Sequence, residues 1–322
     1  MSEFRVQVIE ISKYGKHPNA DTLSITHVLG DYPVIFRTGD YETGDKAVYI
    51  PVDAIVPNND PRWEFLGGHN RIKAKKLRGI FSMGLLTTAD PSWEVGQIVQ
   101  DELRILKYEP PILVGGGGDN ERCPFDFPIY TDIEGYRKFS NILKEGEEVI
   151  LTEKLHGCNS RFVWKDDRLW VGSHKCVKKE DDSNLWWAVA KKLDLATKLS
   201  AFPDIVLYGE VYGYVQDLKY GAQPGQFFFR AFDALNLKTM RYLDWQSFVE
   251  LTETIGVDTV PVLYRGCWDN TLIETLSNGK STLADHVREG FCARTVPERW
   301  DDAIGRCVLK FVGTDYLLRK SG

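Results

Sequence analysis

The chain has 322 residues, with 40 basic and 46 acidic side chains and a formal net charge of −6. Hydrophobic residues make up 43% and aromatic residues 12%, which predicts a folded two-domain protein and excludes an intrinsically disordered one. No run approaches the roughly 20 apolar residues that span a bilayer. With no visible secretory signal and six scattered cysteines, we expect a cytoplasmic or nuclear protein with no membrane association.

The first 114 residues have the pattern of a small all-β domain. Short runs of β-branched and aromatic residues, separated by Gly, Pro, Asn and Asp turns, predict strands at 4–11, 23–29, 34–38, 47–51 and 80–86. Five strands in roughly 100 residues suit a small β-barrel such as an OB fold. The glycine-rich segment 115–119 is interpreted as a linker, although it could be a surface loop within one domain.

A basic run lies inside this first domain. In an extended chain, Arg71, Lys73 and Lys75 point to one side and form a row of cations matched to a phosphate backbone. Lys76 and Arg78 add two further charges. The run could instead be a solvated edge strand whose charges prevent aggregation. Because the whole chain is acidic, any nucleic-acid contact must come from such a local patch.

Residues 120–322 alternate strands with helices, which predicts an α+β domain built on antiparallel sheets. Helices are predicted at 184–199, begun by the acidic residues before it, and at 243–255, with Asp244 as the N-cap. Strands are predicted at 148–153, 205–211, 227–234, 259–264, 290–295 and 307–312.

Lys154 follows the strand 148–153 and precedes the turn glycine Gly157. A lysine held in a pocket can act as a nucleophile once burial and nearby cations lower the pKa of its amine. Downstream, carboxylates stand in Tyr208-Gly209-Glu210 and Glu289-Gly290, an aromatic strand covers 227–233, and a lone lysine, Lys310, lies in the last strand. Each signal is weak alone, because strand glutamates and core phenylalanines are common. Their order within one domain is the informative observation.

That order resembles the covalent nucleotidyltransferases, which comprise polynucleotide ligases and mRNA capping enzymes. The segment 152–159 is most similar to RNA ligases of the phage T4 RNA ligase 2 type, because DNA ligases and capping enzymes have Asp where His156 stands. The segment 127–134 is similar to the same branch. In the first domain, 17–23 resembles the HPNAD-L segment of OB-type tRNA-binding modules. Segments 49–53 and 71–85 resemble the OB module that precedes the catalytic domain in one branch of RNA ligases.

The resemblance implies an OB-fold domain at 1–114 followed by a nucleotidyltransferase (ATP-grasp-like ligase adenylyltransferase) domain at 120–322. It implies that ATP adenylylates Lys154 with Mg²⁺ or Mn²⁺, and that Glu210 and Glu289 bind metal. The implied nucleotide-binding residues are Glu153, Leu155, His156, Gly157, Asn159, Lys175, Glu210, Phe229, Glu289 and Lys310. Phe229 follows from the register of Phe-x-x-Phe-Asp, and the adjacent Phe228 is the alternative.

Two positions depart from the family pattern. Lys175 stands near the position of an arginine about 20 residues after the nucleophile, and a lysine gives a less directional phosphate contact. Val308 replaces the first of two alternating lysines, which leaves Lys310. Both departures bear on efficiency or step preference.

The expected protein is a monomeric ATP-dependent RNA ligase that seals 5′-phosphate/3′-OH breaks through lysyl-AMP and RNA-adenylate intermediates. Its expected partner is RNA or a nicked duplex with an RNA 3′-OH strand, held by Arg71, Lys73, Lys75, Lys76 and Arg78. A DNA ligase or capping guanylyltransferase is the alternative enzyme, disfavoured by His156 and by the few residues after the last motif. A catalytically impaired tRNA- or nick-binding protein is the other alternative, and the retained Lys154 speaks against it.

Overall fold

A computed structural model describes residues 4–112 and 115–319 of the chain. Along these ranges the strands are, in chain order, β1 (Gln7–Glu10), β2 (Tyr14–Lys16), β3 (Leu23–Val28), β4 (Tyr32–Arg37), β5 (Lys46–Ile50), β6 (Ala54–Ile55), β7 (Lys75–Leu77), β8 (Ile80–Ser82), β9 (Leu85–Thr88), β10 (Leu106–Lys107), β11 (Glu134–Gly135), β12 (Glu148–Lys154), β13 (Cys158–Lys165), β14 (Arg168–Ser173), β15 (Ile205–Gly213), β16 (Phe227–Asn236), β17 (Arg241–Tyr242), β18 (Val262–Cys267), β19 (Gly290–Thr295), β20 (Trp300–Asp301), β21 (Gly305–Arg306) and β22 (Val308–Val312). The helices are α1 (Leu185–Lys192), α2 (Leu195–Ser200), α3 (Trp245–Thr254), α4 (Thr271–Ser277) and α5 (Thr314–Leu318), and 3-10 turns lie at Pro61–Leu66 and Tyr136–Lys138. No helix in these ranges is long and apolar enough to cross a bilayer.

The first of two compact units covers the described residues up to Pro110, together with Glu134–Asn141 and a short stretch from Leu317. Its strands form two antiparallel sheets, β1-β5-β9 and β2-β3-β4, and two antiparallel pairs, β6 with β10 and β7 with β8. Burial alternates along β3, whereas β5 has four consecutive buried residues. Each fully buried aliphatic side chain contributes about 1.5–3 kcal/mol. The apolar core includes Val6, Val8, Val34, Val48, Ile50, Trp63 and Val99.

Four of the five strands predicted in this unit are confirmed, with ends displaced by a few residues. The fifth, predicted at 80–86, is divided into β8 and β9. The division falls at Gly84, which has φ +97° and lies so close to β5 that a Cβ there would be 2.4 Å from the Ile50 carbonyl oxygen. Only glycine tolerates both conditions.

The second unit contains two larger antiparallel sheets, which confirms the predicted α+β class. One sheet has the order β14-β13-β15-β16-β17, and the other has the order β22-β19-β12-β18 within this unit. Helices α1, α2 and α3 pack on one face of the first sheet. That apolar layer includes Phe162, Leu185, Trp186, Leu195, Leu199, Leu207, Phe229, Phe248 and Leu251.

The helix predicted at 184–199 is two helices, α1 and α2. The break falls at Asp194, which has φ +50°, a left-handed conformation that ends α1. The N-cap is Asn184 and not one of the acidic residues before it, because its side-chain oxygen accepts from the Trp186 and Trp187 amides. Helix α3 is confirmed with Asp244 as its N-cap, accepting from the Ser247 amide at 2.9 Å.

The glycine-rich segment belongs to the second unit, which begins at Pro111. The Leu185 amide donates to the Gly115 carbonyl at 2.9 Å, and the Asn184 side-chain amide donates to the Gly117 carbonyl at 2.9 Å. These bonds attach the described glycines to the start of α1. The predicted domain end at Val114 lies outside the described residues.

Candidate active site

Lys154 is the last residue of β12 and pairs with Gly290 at the start of β19. Its ammonium donates to the Glu289 Oε1 atom at 2.6 Å. The ladders of β12, β19 and β22 place Thr152 opposite Cys292, and Cys292 opposite Lys310. Because residues two apart in a strand share a face, Lys154, Cys292 and Lys310 lie on one face of this sheet.

Electrostatics hold the Lys154 amine in its charged form. Burial alone would lower its pKa, but the negative charges of Glu289 and Glu210 outweigh that effect and raise the pKa above its usual value. The prediction that the pKa of Lys154 is lowered was therefore wrong. The nearby groups are anions and not the cations that the prediction assumed, and β19 and β15 bring them from distant parts of the chain.

The two carboxyl groups of the site, those of Glu210 and Glu289, have very different pKa values. Burial, together with the charge of Glu289, raises the pKa of Glu210 to about 8, although Lys154 opposes the shift. Burial also acts on Glu289, but Lys154 and the nearby His156 outweigh it and lower the pKa to about 2. In the described part of the chain no group of three or more His, Cys, Asp or Glu side chains forms a ready-made metal site. A metal held here would need further oxygen ligands.

His156 is buried, and both of its ring nitrogens have protein partners. Its Nε2 atom lies 2.6 Å from Asp217 Oδ1, and its Nδ1 atom lies 2.9 Å from the Tyr316 hydroxyl. The same Nδ1 is 3.6 Å from Glu289 Oε2. His156 therefore contacts the carboxylate that binds Lys154. The sequence analysis missed Asp217 and Tyr316, because neither stands in a motif or a periodic run.

Glu153 and Leu155 point away from the Lys154 face. The Glu153 carboxylate is buried and accepts from the Thr282 amide at 2.8 Å and the Thr282 hydroxyl at 2.6 Å. Leu155 is buried in an apolar cluster with Tyr212, Tyr220 and Val260. The structure places these two predicted residues beside the nucleophile in sequence but gives their side chains other partners.

Gly157 and Asn159 lie against β15. A Cβ on Gly157 would be 2.2 Å from the Val211 carbonyl oxygen, so the close approach of the two chain segments requires glycine here. Asn159 pairs with Glu210 across β13 and β15, which puts the two side chains on one face. Its buried side-chain oxygen has no hydrogen-bond partner among the described residues.

A β-bulge determines which faces of the sheet Phe228 and Phe229 occupy. In the pairing of β15 with β16, Tyr208 faces Asp233 whereas Gly209 faces Ala231, so Phe232 is an extra residue. Beyond the bulge, Arg230 and Phe228 share a face with Glu210. Phe229 is buried on the helix side, 5.3 Å from the ring of Phe162. Phe228 instead packs at the apolar cluster of Leu155.

The remaining predicted residues of this unit lie just after β14 or within β22. Lys175 is exposed in the bend after β14. Lys310 is half-buried in β22, opposite Cys292. Val308 is buried and pairs with Arg294, whose guanidinium binds the buried Asp233 at 3.1 Å. An apolar side chain thus occupies the first position of the family's lysine pair.

In the first unit, the structure separates Arg71 from the other predicted cations. Arg71 donates twice to Asp53 Oδ1, at 3.0 and 2.7 Å, and its guanidinium lies 3.5 Å from the centre of the Tyr108 ring. The other members of the basic run are exposed and have no ion-pair partner among the described residues; they are Lys73, Lys75, Lys76 and Arg78.

Two family models match the chain. A model of the RNA ligase family matches residues 147–312, just over half of the chain. A model of an OB-fold domain matches residues 5–89. The matched ranges contain the Lys154 site and the basic run respectively.

Two curated relatives match parts of the chain. The phenylalanine–tRNA ligase beta subunit of Fusobacterium nucleatum is 25% identical over 146 residues, which are 44% of this chain and 15% of that protein. Protein Early 65 kDa of Autographa californica nuclear polyhedrosis virus is 24% identical over 182 residues, 52% of this chain and 32% of that protein. The chain thus spans no more than a third of either relative.

Solved structures match nearly the whole chain. An RNA ligase of Naegleria gruberi, solved as a variant with ATP and Mn, has a TM-score of 0.84 at 23% identity, covering 98% of both chains. The same ligase with pyrophosphate has a TM-score of 0.83 at 22% identity, again covering 98% of both. These likenesses confirm the predicted fold, an OB-fold domain followed by a ligase nucleotidyltransferase domain.

Proposed function

The chain belongs to the RNA ligase family, and we propose that it is an ATP-dependent RNA ligase that works through a lysyl-AMP intermediate on Lys154. The observation that carries this proposal is the placement of Lys154 at the end of β12, 2.6 Å from Glu289 and within the electrostatic field of Glu210. The use of ATP and a divalent metal is supported by the similar Naegleria gruberi structures, which contain ATP with Mn, AMP with Mn, or pyrophosphate.

In the first step, the neutral amine of Lys154 attacks the α-phosphorus of ATP. A P–N bond forms, the P–O bond to the β-phosphate breaks, and pyrophosphate leaves with the electron pair. Lys154 must first lose a proton, and the charge of Glu289, which its ammonium contacts at 2.6 Å, opposes this loss. Activation of Lys154 therefore requires that the charge of Glu289 be neutralised when substrate binds.

Glu210 and Glu289 fit a divalent metal. They are buried carboxylates whose charges influence each other, and carboxylate oxygens are ligands that Mg²⁺ and Mn²⁺ prefer. A bound ion would supply positive charge against the carboxylates and the phosphates of ATP. Because the chain offers no ready-made three-residue cluster in its described ranges, the phosphates or water must complete the ligand set.

Other residues of the site hold the nucleotide. We assign the face of the adenine to Phe228, because the bulge at Phe232 turns its ring to the Glu210 side of β16. Lys310 shares a face with Lys154, so it is suited to bind phosphate. Lys175 and Asn159 are the further proposed phosphate contacts. His156 keeps Glu289 in place.

The second and third steps consume the intermediate. An oxygen of an RNA 5′-phosphate attacks the AMP phosphorus, the P–N bond breaks, and Lys154 leaves with the electron pair. The adjacent 3′-hydroxyl then attacks the 5′-phosphorus of the RNA-adenylate, a phosphodiester forms, and AMP leaves. The enzyme returns to its starting state after each turnover.

The OB-fold unit supplies the proposed RNA contact. Lys73, Lys75, Lys76 and Arg78 are exposed cations, and we assign them to backbone phosphates. We exclude Arg71 from the proposed phosphate contacts, because Asp53 already neutralises its charge. The proposed substrate is a duplex nick whose 3′-OH strand is RNA.

A sealing assay tests the proposed substrate. Three substrates with a labelled 5′-phosphate are compared: a nick with a ribose 3′-OH end, the same nick with 2′-deoxyribose at that end, and a single strand. We expect the ribose nick to be sealed fastest. Equal rates for ribose and deoxyribose ends would contradict the RNA requirement, and faster sealing of the single strand would contradict the duplex.

A further inference from the structure

The basic run includes a β-hairpin with an unusual turn. Strands β7 and β8 pair from Lys75–Ser82 to Leu77–Ile80, which leaves Arg78 and Gly79 as a two-residue loop. Both loop residues have positive φ, +46° at Arg78 and +89° at Gly79, as a type I′ turn requires. An arginine rarely adopts this conformation, so neighbouring contacts must stabilise it.

The segment 17–19, part of the HPNAD stretch, supplies those contacts. The Asn19 amide donates to His17 Nδ1 at 3.0 Å, so this nitrogen carries no proton. The proton of the neutral ring is therefore on Nε2, which donates to the Leu77 carbonyl at 3.1 Å. The Asn19 side-chain amide donates to the Arg78 carbonyl at 3.0 Å. The segment 17–19 thus donates hydrogen bonds to two consecutive backbone carbonyls of the hairpin, those of Leu77 and Arg78.

The base of the hairpin is fixed independently. The Ile35 amide of β4 donates to the Ser82 hydroxyl at 3.0 Å, and the Met83 amide donates to the Pro33 carbonyl at 2.7 Å. His17 is only 4% exposed, so its bond to the hairpin is shielded from water. The hairpin is anchored at both ends, while the side chains of Lys75, Lys76 and Arg78 remain exposed.

We propose that His17 and Asn19 are positioning residues for RNA binding, which hold the β7–β8 hairpin so that its cations meet the phosphate backbone. This inference rests on the proposed function, because it takes RNA as the partner of the OB-fold unit. A hairpin fixed before binding avoids the entropic cost of ordering its backbone when RNA binds. The HPNAD stretch acts through the hairpin and does not itself contact RNA.

Two substitutions of His17 separate its hydrogen bonds. The amide nitrogen of glutamine lies near the position of Nε2, so His17→Gln retains a donor for the Leu77 carbonyl. Asparagine places its oxygen near the position of Nδ1, so His17→Asn retains the acceptor for Asn19 and loses the bond to the hairpin. Asn19→Ala removes the bond to the Arg78 carbonyl, and because Asn19 is exposed the change takes no side chain from the core.

The full-length protein is titrated into a fluorescent nicked duplex, and affinity is measured by anisotropy over a range of salt. We expect His17→Asn and Asn19→Ala to weaken binding about threefold or more and to reduce the salt slope, while His17→Gln stays near wild type. A triple charge reversal, Lys75→Glu/Lys76→Glu/Arg78→Glu, should weaken binding further. Lys144→Glu, in the other unit, is the matched control for an exposed lysine.

The outcomes are distinguishable. If the triple reversal weakens binding but His17→Asn and Asn19→Ala bind like wild type, the RNA surface stands and the positioning role is overturned. If His17→Gln loses as much affinity as His17→Asn, His17 supports the domain in general, and the specific bond to Leu77 is overturned. If the triple reversal itself has no effect, the RNA contact assigned under the proposed function fails, and the inference fails with it.

Discussion

The ammonium of Lys154 and the carboxylate of Glu289 form a hydrogen bond of 2.6 Å between residues that are 135 positions apart in the chain. The bond exists because β12 and β19 pair along their length, with Lys154 opposite Gly290. The candidate nucleophile is therefore held by the sheet itself. The same bond favours the protonated form of the amine.

Removal of the Glu289 charge should raise the metal concentration that lysyl-AMP formation requires. We expect Glu289→Gln to need a higher Mg²⁺ or Mn²⁺ concentration for lysyl-AMP formation, with a rate at least about tenfold lower, because one of two carboxylate ligands is lost. The measurement is a metal titration of protein first treated with EDTA, which should abolish labelling in wild type. Glu250→Gln, at an exposed position of α3, is the matched control. An unchanged metal titration for Glu289→Gln would contradict this assignment.

The two adjacent phenylalanines should behave differently. Phe229→Ala removes a buried ring from the helix-side core and should destabilise the protein by about 3–5 kcal/mol in urea unfolding. Phe228→Ala should have a smaller effect on stability but raise the KM for ATP about tenfold or more, since stacking of a base on an aromatic ring is lost. If Phe229→Ala instead raised the KM while leaving stability intact, the bulge would not determine which ring meets the base.

Asp217 should matter for the first chemical step although it does not contact Lys154. Asp217→Ala removes the partner of His156 Nε2, so the imidazole loses its fixed position beside Glu289. We expect the rate of lysyl-AMP formation to fall about tenfold to a hundredfold, as for other groups that orient a ligand residue. Single-turnover labelling measures this rate, and Asp217→Asn, which can still accept a hydrogen bond, should fall less. Equal rates for Asp217→Ala and wild type would show that His156 needs no such support.

A buried ion cluster should determine stability. The Asp233 Oδ2 atom accepts from Arg306 at 2.9 Å, Arg294 at 3.1 Å and the Tyr130 hydroxyl at 2.8 Å. Asp233→Asn leaves the buried Arg294 and Arg306 with Glu298 as their remaining carboxylate partner and should cost about 3–5 kcal/mol at neutral pH, measured by urea unfolding. A loss below about 1 kcal/mol would mean that the arginines find other partners.

The pH dependence of this loss has a definite sign. Burial opposes ionisation of Asp233, but Arg294 and Arg306 outweigh it and lower the pKa of the carboxyl below its usual value of 3.8. The Asp233 carboxylate therefore stabilises the fold fully when the pH is above 3.8, the usual pKa. Its contribution to the free energy of unfolding disappears as the pH falls from 3.8 through the lowered pKa. The difference between wild type and Asp233→Asn should be constant between about pH 5 and 8 and shrink below about pH 4. A difference that grew on acidification would contradict the assigned charge.

The sequence alone locates the strands of the site but not the side chains that face it. Strand alternation and the neighbouring glycines were enough to place Lys154 at a strand end, Glu210 within a strand and Glu289 at a strand start. Phe229 was chosen from the register of Phe-x-x-Phe-Asp, with Phe228 as the alternative, and the bulge at Phe232 is what places Phe229 on the helix side of the sheet. No local pattern marks such an insertion.

Long-range pairing explains the other differences. The charge of Arg71 is neutralised by Asp53, 18 residues away, and the amine of Lys154 by Glu289, 135 residues away. Local composition does not reveal either contact. The sequence therefore predicted that Arg71 is a free cation and that the pKa of Lys154 is lowered. The left-handed Asp194 likewise divides a continuous helical pattern without a Gly or Pro to announce it.

The most direct test of the account is covalent labelling of Lys154. Wild type, Lys154→Ala and the exposed-lysine control Lys144→Ala are incubated with α-labelled ATP or GTP and Mg²⁺, followed by denaturing electrophoresis. Label from GTP alone would assign the chain to capping chemistry. The account predicts that ATP labels wild type and Lys144→Ala but not Lys154→Ala. A nicked duplex with an RNA 3′-OH end should then remove the label from the wild-type protein. Full labelling of Lys154→Ala, or no labelling of wild type, would contradict the central claim.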